Sequence, residues 1–331
     1  ALNNLKQMLG EWVGQDDVKL PLTAASMSHR IWTMKYFPNE WKWTRTKGKN
    51  AGQLMYQTYI DERSETVARK AYYGGRVQVI GNAGEKYPNV MSLDRNSMYP
   101  AVMINEFPNP TKTQPVSNLE LVRSYSLPYW GKFKMRATCN SSKFLPSLNE
   151  EDRRDYTQGI FDGYLCSPEV EHALNNGWVI ESYEDVWCSL ETMKPFKNYV
   201  DDFYALRCEM KKNNDERQSL IKLLLNSLYG VFGTKGQFDR LESEEEIIEA
   251  LEKDPDAWEL HFWNAESDIF YLVGKEYKEP PQHTCFLWAA FVTSYARVDL
   301  DKAIQKVNEW GNQVVYTDTD SVHFCGFDGD L

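Results

Sequence analysis

VVYTDTDSVHF, residues 314–324, is the stretch of the sequence that says most about the fold. Apolar runs on both sides enclose the acidic centre TDTDS, and this pattern predicts two strands joined by a tight turn that carries Asp318 and Asp320. No neighbouring side chain in the sequence neutralises the two carboxylates. A divalent cation is therefore a natural partner, because Mg²⁺ prefers carboxylate oxygens. Taken alone, the stretch would also suit an ordinary turn that favours Asp.

A second acid, Asp94, ends the segment YPNVMSLD at residues 87–94, which predicts a buried strand. A polar turn follows, and Tyr99 comes directly after it, where its ring can pack beside whatever the acid binds. A single acid at the end of a strand is more often a helix cap, and so this motif is informative mainly in combination with others.

A predicted helix at residues 215–230 carries a polar face. Lys222, Asn226 and Tyr229 are spaced i, i+4 and i+7 and therefore share one side of the helix. They offer a charge for phosphates, a hydrogen-bonding amide and a ring for stacking, while Gly230 permits close approach of a backbone or base. The opposite side is predicted to be buried and carries Leu223, Leu224 and Leu228.

In combination, these three sites match the components of phosphoryl transfer by two metal ions. Asp94 and the pair of acids in the TDTDS turn would hold metal, and Lys222 would hold phosphates. Each motif alone has an ordinary structural explanation, but all three in one chain favour this chemistry.

Strands interrupted by helical segments predict an α+β fold with one sheet assembled from distant parts of the chain. Helical patterns at 196–212 and 215–230 are joined by Asn213 and Asn214, which predicts an antiparallel helical hairpin. The other predicted elements are a helix opened by Ser167, Pro168 and Glu169, an acidic helix at 243–253, a β-hairpin at 259–273 and a long helix at 286–308.

The composition is that of a folded protein, with 42% apolar and 26% charged residues. A formal net charge of −11 argues against a surface that is basic throughout, as many nucleic-acid binders have. Residues 242–256 alone contribute −7, however, so the rest of the chain carries only −4.

The six cysteines show no CxxC spacing, which argues against a zinc site or a disulfide scaffold. No apolar run approaches the roughly 18–20 residues of a membrane span and no leader opens the chain, so we expect an intracellular protein without membrane contact.

The three sites resemble motifs A, B and C of the family B DNA polymerases. SLDRNSMYP at 92–100 is similar to motif A, KLLLNSLYG at 222–230 to motif B, and YTDTDS at 316–321 to motif C. Their order along the chain is also the order in that family.

Further matches favour the protein-primed phage branch of this family. YYGG at 72–75 resembles its YxGG motif, and TSYAR at 293–297 resembles its Tx2GR motif, with Ala at the usual Gly. The long intervals 104–195 and 235–285 fall where this branch carries two insertions, called terminal-protein regions. The resemblance covers residues 60–325.

The resemblance implies a role for each matching residue. Metal ligation is implied for Asp94, Asp318 and Asp320, with two Mg²⁺ ions as the cofactor and Mn²⁺ as an alternative. Nucleotide contacts are implied for Tyr99, Lys222, Asn226 and Tyr229, the first of which would exclude a 2′-hydroxyl by steric contact. Contacts to template or primer are implied for Tyr72, Gly74, Gly75, Asn96, Ser97, Ser227, Gly230, Thr293 and Arg297. Thr293 and Arg297 are four apart on a helix and therefore share a face, as a contact to template or primer needs.

The resemblance also implies a domain organisation. The predicted segments are a remnant of an exonuclease-side helix with a basic, aromatic linker (1–59), a palm part with YxGG and motif A (60–103), a first insertion (104–195), helical-hairpin fingers with motif B (196–234), a second insertion (235–285) and a palm part with motif C (286–331). The aromatic side chains of the linker would either stack on bases or be held by a core. Only 71 residues precede Tyr72 and 11 follow Asp320, so we expect the exonuclease active site and the thumb to be absent from this sequence.

The expected function is that of a DNA-dependent DNA polymerase core of a phage or related element, which adds deoxynucleotides to a 3′-hydroxyl or to the hydroxyl of a priming protein. Its partners would be template–primer DNA, dNTPs, a terminal protein and complementary exonuclease and thumb segments. It would act inside a cell, in the host cytoplasm if it is viral. The alternative is a catalytically incomplete polymerase-like subunit that binds DNA or terminal protein, or one fragment of a split polymerase.

Overall fold

The computed structural model describes residues 23–37, 43–45, 54–56, 61–82, 84–138, 144–148, 154–156, 159–234, 237–241, 244–264, 269–278 and 284–326. The α-helices of this part of the chain are α1 (Ala24–Ile31), α2 (Glu62–Lys70), α3 (Met98–Met103), α4 (Leu119–Ser124), α5 (Ser167–Asn175), α6 (Lys197–Lys212), α7 (Gln218–Phe232), α8 (Glu244–Lys253) and α9 (Phe286–Glu309). The strands are β1 (Trp43–Arg45), β2 (Leu54–Tyr56), β3 (Val77–Val79), β4 (Met91–Asp94), β5 (Phe107–Pro108), β6 (Thr113–Pro115), β7 (Tyr129–Ala137), β8 (Ser147–Leu148), β9 (Arg154–Asp155), β10 (Ile160–Cys166), β11 (Trp178–Ser189), β12 (Thr192–Met193), β13 (Gln237–Leu241), β14 (Trp258–Asn264), β15 (Ile269–Lys278), β16 (Gln313–Asp318) and β17 (Ser321–Cys325). The predicted α+β class is confirmed.

The chain divides into two compact units. One is formed by Ala1–Gly233 with Cys285–Leu331, and the other by Thr234–Thr284. The smaller unit occupies the segment that the sequence separates as the second insertion. The segment 104–195, predicted as the first insertion, belongs to the larger unit.

The acidic turn lies in a four-stranded antiparallel sheet of the larger unit, with the strand order β3-β16-β17-β4. The sequence pattern correctly predicts β16 and β17 as two strands around the turn. It overestimates the length of β4, which begins only at Met91. Asn89 has a left-handed backbone (φ 50°) and follows Pro88, and neither a left-handed residue nor a proline suits a strand. β4 is also only half buried, since its residues alternate between exposed and partly buried.

Helix α9 packs against this sheet along its second half. The apolar contacts that join helix and sheet come from Leu300, Ile304, Val307, Val314, Val322 and Phe324. The first half of α9 is buried on nearly every side, as its almost unbroken apolar sequence requires. This helix therefore connects the acidic sheet with the main core of the unit.

The helical hairpin predicted from the sequence is present as α6 and α7. It turns through Asn214, which adopts a left-handed backbone (φ 51°). On α7, Leu224 and Leu228 are fully buried as predicted, but Leu223 is 51% exposed. The buried face is completed by Ile221 and Leu225 instead, because the apolar stripe is rotated by about one position.

The main core gathers aromatic residues from distant parts of the sequence. Trp32 follows α1, is fully buried, and packs edge-on against Phe232 and Trp288 at ring distances of 5.0 and 6.0 Å. Its indole N–H donates to the carbonyl of Pro195 at 2.9 Å. This part of the predicted linker is thus held by the core, while residues 1–22, 38–42 and 46–53 lie outside the described residues.

A second antiparallel sheet, with the order β10-β7-β11-β6, occupies residues 113–189. Its strands alternate between two faces, as β7 shows: Phe133 and Met135 are fully buried, whereas Lys134 and Arg136 are exposed. Helix α5 covers the buried face through Val170. Because α5 also contacts α9, this sheet is anchored to the core.

The smaller unit contains a three-stranded antiparallel sheet, β13-β15-β14, and the acidic helix α8. The predicted hairpin and helix are both present, although the hairpin turn at 265–268 lies outside the described residues. Among the helices that the structure describes, none is both long and apolar enough to cross a bilayer.

Candidate active site

The turn between β16 and β17 presents Asp318 and Asp320 on either side of Thr319. The central residue has a left-handed backbone (φ 56°), which is uncommon for a β-branched residue. Its amide donates to the carbonyl of Arg76 at 2.8 Å, and its hydroxyl donates to Oδ1 of Asp318 at 3.0 Å. The turn is therefore held from outside by the segment that contains Arg76.

The sheet brings Asp94 next to this turn. In the pairing of β4 with β17, Asp94 lies opposite Ser321, and the amide of Arg95 donates to the carbonyl of Asp320 at 2.8 Å. Two strand ends that are more than 220 residues apart in sequence thus meet at one corner of the sheet. This juxtaposition is the one that the sequence motifs predict.

The charges of the site act on Asp320. Partial burial raises the pKa of this carboxyl, and the negative charges of Asp94 and Asp318 raise it further, whereas the positive charge of Lys222 lowers it. Asp94, Asp318 and Lys222 therefore each lie within electrostatic reach of Asp320. The repulsion among the acids is the kind that a bound cation relieves.

Two tyrosines border the acidic corner. The rings of Tyr99 and Tyr229 stack with centroids 4.0 Å apart and planes inclined by 18°. Burial is the main cause of the raised pKa of each phenol, and the charge of Asp320 adds to it, so both stay protonated at neutral pH. Lys222, two turns before Tyr229 on the same helix, is exposed, and Asn226 between them is half buried.

The segment that resembles the YxGG motif runs directly beneath the acidic turn. Gly74 has a left-handed backbone (φ 73°). A Cβ on Gly75 would lie 2.9 Å from the hydroxyl of Thr319, so only glycine fits this approach without displacement. Tyr72 packs edge-on against Phe286 at 5.2 Å and is close enough to Tyr99 to raise the pKa of that phenol.

The remaining predicted template and primer residues differ in their surroundings. Ser97 has a left-handed backbone (φ 53°), and its hydroxyl accepts a hydrogen bond from Nη1 of Arg207 at 2.8 Å. Asn96 is exposed and Ser227 is half buried. Gly230 is exposed, and a Cβ there would meet no atom within 4 Å.

The family model described as DNA polymerase type B, organellar and viral, matches residues 2–308. The chain belongs to this family. The resemblance to family B DNA polymerases that the motifs indicate is therefore confirmed.

Individual relatives of this family B chain agree with the assignment. A DNA polymerase of Kluyveromyces lactis is 26% identical over 269 residues, which are 77% of this chain and 25% of that protein. A probable DNA polymerase of Podospora anserina is 27% identical over 306 residues, 82% of this chain and 24% of that protein. The chain spans about a quarter of the length of these relatives.

The fold of this family B chain is similar to that of Phi29 DNA polymerase. An orthorhombic crystal form of that enzyme superposes with a TM-score of 0.64, and its complex with primer-template DNA with a TM-score of 0.63. The identity is 18% in both, and the match covers 98–99% of this chain and about half of that enzyme. This similarity shows the fold.

Thr293 and Arg297, which are predicted to contact template or primer, lie in the interior of the larger unit. Both side chains are buried, with 0% and 1% exposure. The hydroxyl of Thr293 donates to carbonyls of its own helix, and Arg297 forms a bidentate ion pair with Glu169. The side chain of Arg297 is directed towards α5 and the YxGG segment, since it also donates to the carbonyl of Gly74 at 2.6 Å.

The sequence-based prediction missed several residues that hold the site: Arg76, Glu169, His172, Asp301 and Thr319. Glu169 lies in the first turn of α5, where the helix dipole favours an acid, yet it is fully buried. One signal in the sequence is the presence of Arg297 and Asp301 in the apolar helix α9. Charged residues buried in such a helix are expected to have partners of opposite charge, here on other segments of the chain.

Proposed function

We propose that this family B chain is the polymerase core of a template-directed DNA polymerase that acts in phage-type, protein-primed replication. The observation that carries the proposal is the meeting of Asp94, Lys222 and Asp320 at one corner, from three segments that are distant in sequence. The stacked tyrosines and the helix that bears Lys222 border the same corner.

The donor set at the corner fits Mg²⁺. No group of three acidic, histidine or cysteine side chains within the described residues lies close enough to share one ion. Mg²⁺ is usually held by one or two carboxylates together with substrate phosphates, which Asp94 and Asp320 can supply, with Asp318 beside them. When bound, two such ions supply Lewis-acid stabilisation of the attacking and leaving oxygens. Mn²⁺ would suit the same oxygen ligands.

Each side chain around the corner contributes to binding and orientation of a nucleotide. Lys222 extends from α7 as an exposed ammonium group and would pair with the triphosphate. Tyr99 and Tyr229 form a rigid wall on which the sugar and base would pack, and the ring of Tyr99 would exclude a 2′-hydroxyl. Asn226 would donate a hydrogen bond from the same helix face.

Template and primer would lie along the surface beside this corner. The contacts would come from Tyr72, Gly74, Gly75, Asn96, Ser97, Ser227 and Gly230. Glycines permit close approach of a phosphate backbone, and backbone and side-chain donors position it without reading sequence. Further partners would be a terminal protein, whose hydroxyl starts synthesis, and exonuclease and thumb segments.

The experiment that tests this function is incorporation of labelled dNTPs on a homopolymer template, with and without an annealed DNA primer. We expect incorporation of the complementary nucleotide only, dependent on template, primer and Mg²⁺. Addition of a candidate terminal protein should replace the requirement for a DNA primer. Incorporation that ignores the template base would contradict the proposal.

A further inference from the structure

Two buried ion pairs lie one turn apart on α9. Arg297 and Glu169 have 1% and 0% side-chain exposure, and their Nε–Oε1 and Nη2–Oε2 distances are 2.8 and 2.7 Å. Asp301 and Arg76 have 1% and 4% exposure, with 3.2 Å between Oδ1 and Nη1. Desolvation of buried ions largely cancels their attraction, so net stability alone is a weak reason for two such pairs side by side.

Both pairs hold the same short segment, and that segment holds the acidic turn. Nη1 of Arg297 donates to the carbonyl of Gly74 at 2.6 Å, while the Arg76 side chain is held by its own ion pair. The carbonyl of Arg76 then accepts a hydrogen bond from the amide of Thr319, and a Cβ on Gly75 would lie 2.9 Å from the Thr319 hydroxyl. An unbroken series of contacts therefore runs from α9 to the turn.

Helix α5 braces both pairs from the other side. It supplies Glu169 and, one turn later, His172, whose Nε2 lies 2.9 Å from Oδ2 of Asp301. Gln305 donates to the same oxygen at 2.7 Å. The carboxylate on α9 is thus surrounded by directed partners, which restrict it to one orientation. Because α5 lies in the 104–195 segment, the predicted first insertion contributes directly to this arrangement.

We propose that Glu169 and Asp301 are positioning residues for the acidic turn, and that α5 sets the location of Asp318 and Asp320 through them. The carboxylates of both residues pair with buried arginines, so their effect on the turn passes through other residues. This inference rests on the proposed function in one respect, the catalytic role of the turn. The claim that the two residues hold Thr319 in place does not depend on that function.

The test compares Glu169→Gln with a matched control, Glu171→Gln, on the same helix. Glu171 pairs with Arg123 within the insertion, at 2.8 Å between Oε1 and Nε, and belongs to neither buried pair. The readout is hydrogen exchange at the Thr319 amide in metal-free protein. Loss of a charge-assisted contact predicts exchange at least about tenfold faster at this amide in Glu169→Gln. Exchange in Glu171→Gln should equal that of the wild type.

An internal control separates local release from general loss of stability. The amide of Val116 donates to the carbonyl of Val186 in the insertion sheet, at 2.8 Å, and its exchange should be accelerated less than that of Thr319 in Glu169→Gln. Equal acceleration of the Val116 and Thr319 amides would overturn the proposal, as would no change at Thr319.

A second variant covers the case in which Glu169→Gln does not fold. The double substitution Glu169→Leu with Arg297→Met removes both charges, and apolar replacement of a buried pair is usually tolerated. It also removes the donor to Gly74, so faster exchange at Thr319 is again expected, and wild-type exchange would overturn the proposal. In active protein, Glu169→Gln should lower kcat for incorporation about tenfold at unchanged KM. If the wild-type protein incorporates no nucleotide, the proposed function is contradicted. The exchange rates at Thr319 would still decide whether Glu169 positions the turn.

Discussion

Substitution of Gly75 by Ala tests how closely the YxGG segment sets the acidic turn. The added Cβ would lie 2.9 Å from Oγ1, 3.0 Å from Cγ2 and 3.3 Å from Cβ of Thr319, whereas ordinary contacts begin at 3.4 Å. Thr319 cannot rotate away freely, because its hydroxyl donates to Asp318 and its amide to Arg76. Segment and turn must therefore separate by about half an ångström.

The size of the effect follows from this displacement. A misplacement of about 1 Å at an active site costs roughly 100-fold in rate, so half of it predicts a fall in kcat of about tenfold. Overpacking costs about 1–3 kcal/mol, and replacement of glycine in the unfolded chain returns about 0.4–1 kcal/mol. The free energy of unfolding should therefore fall by no more than about 2.6 kcal/mol, and the protein should remain folded.

The assay is single-nucleotide incorporation by Gly75→Ala, in the wild-type background and with Thr319→Ala. The second substitution removes the two closest atoms, so in that background Gly75→Ala should lower kcat less than about threefold. Gly159→Ala is the matched control, since its Cβ would lie 3.8 Å from the nearest atom, Cβ of Ala137. An equal loss of kcat in both backgrounds would refute the steric explanation.

Three further substitutions test other parts of the site. Lys222→Gln should raise KM for dNTPs at least about tenfold, because a charge-assisted phosphate contact is worth about 1.5–3 kcal/mol; steady-state kinetics with an unchanged KM would exclude this role. The pKa of Asp320 is raised in the folded state, so the free energy of unfolding falls as pH rises above the ordinary value of 3.8. In denaturant titrations without metal, Asp320→Asn should consequently be more stable than the wild type at pH 7. The difference should be less than about 1 kcal/mol, because the carboxyl is largely solvated, and it should vanish below pH 3.8. Asp301→Asn should lower the free energy of unfolding by about 3–5 kcal/mol, because Arg76 keeps its buried charge, and a change within 1 kcal/mol of zero would show that the pair is not needed for stability.

The local elements of the fold follow from the sequence. Apolar runs around the TDTDS centre predict the strands that carry Asp318 and Asp320, and helical spacing predicts the face shared by Lys222 and Tyr229. Periodicity and turn composition act over a few residues, so they are readable without knowledge of the tertiary structure. Their limit is visible at Leu223, where a rotation of one position exposes a residue that the pattern assigns to the core.

The supports of the site do not follow from the sequence in the same way. Glu169 and Arg297 are 128 positions apart, and Arg76 and Asp301 are 225 apart. Charged residues are normally exposed, so nothing local indicates that these four are buried in pairs. Arg297 shows the same limit: the resemblance to the Tx2GR motif implies a contact to template or primer, and only the packing around the side chain reveals its buried pair with Glu169.

The most direct measurement of the central claim is metal-dependent, template-directed incorporation by the wild type, by Asp94→Asn and by Asp162→Asn. Asp162 is a matched control, because its surface carboxylate lies 3.7 Å from Nζ of Lys132, away from the acidic corner. Loss of groups that merely support metal ligands costs about 10–100-fold, so removal of a ligand should lower the rate by at least about 100-fold. We predict that loss in Asp94→Asn and a wild-type rate in Asp162→Asn. Incorporation by Asp94→Asn within about threefold of the wild-type rate would contradict the assignment of the acidic corner as the catalytic centre.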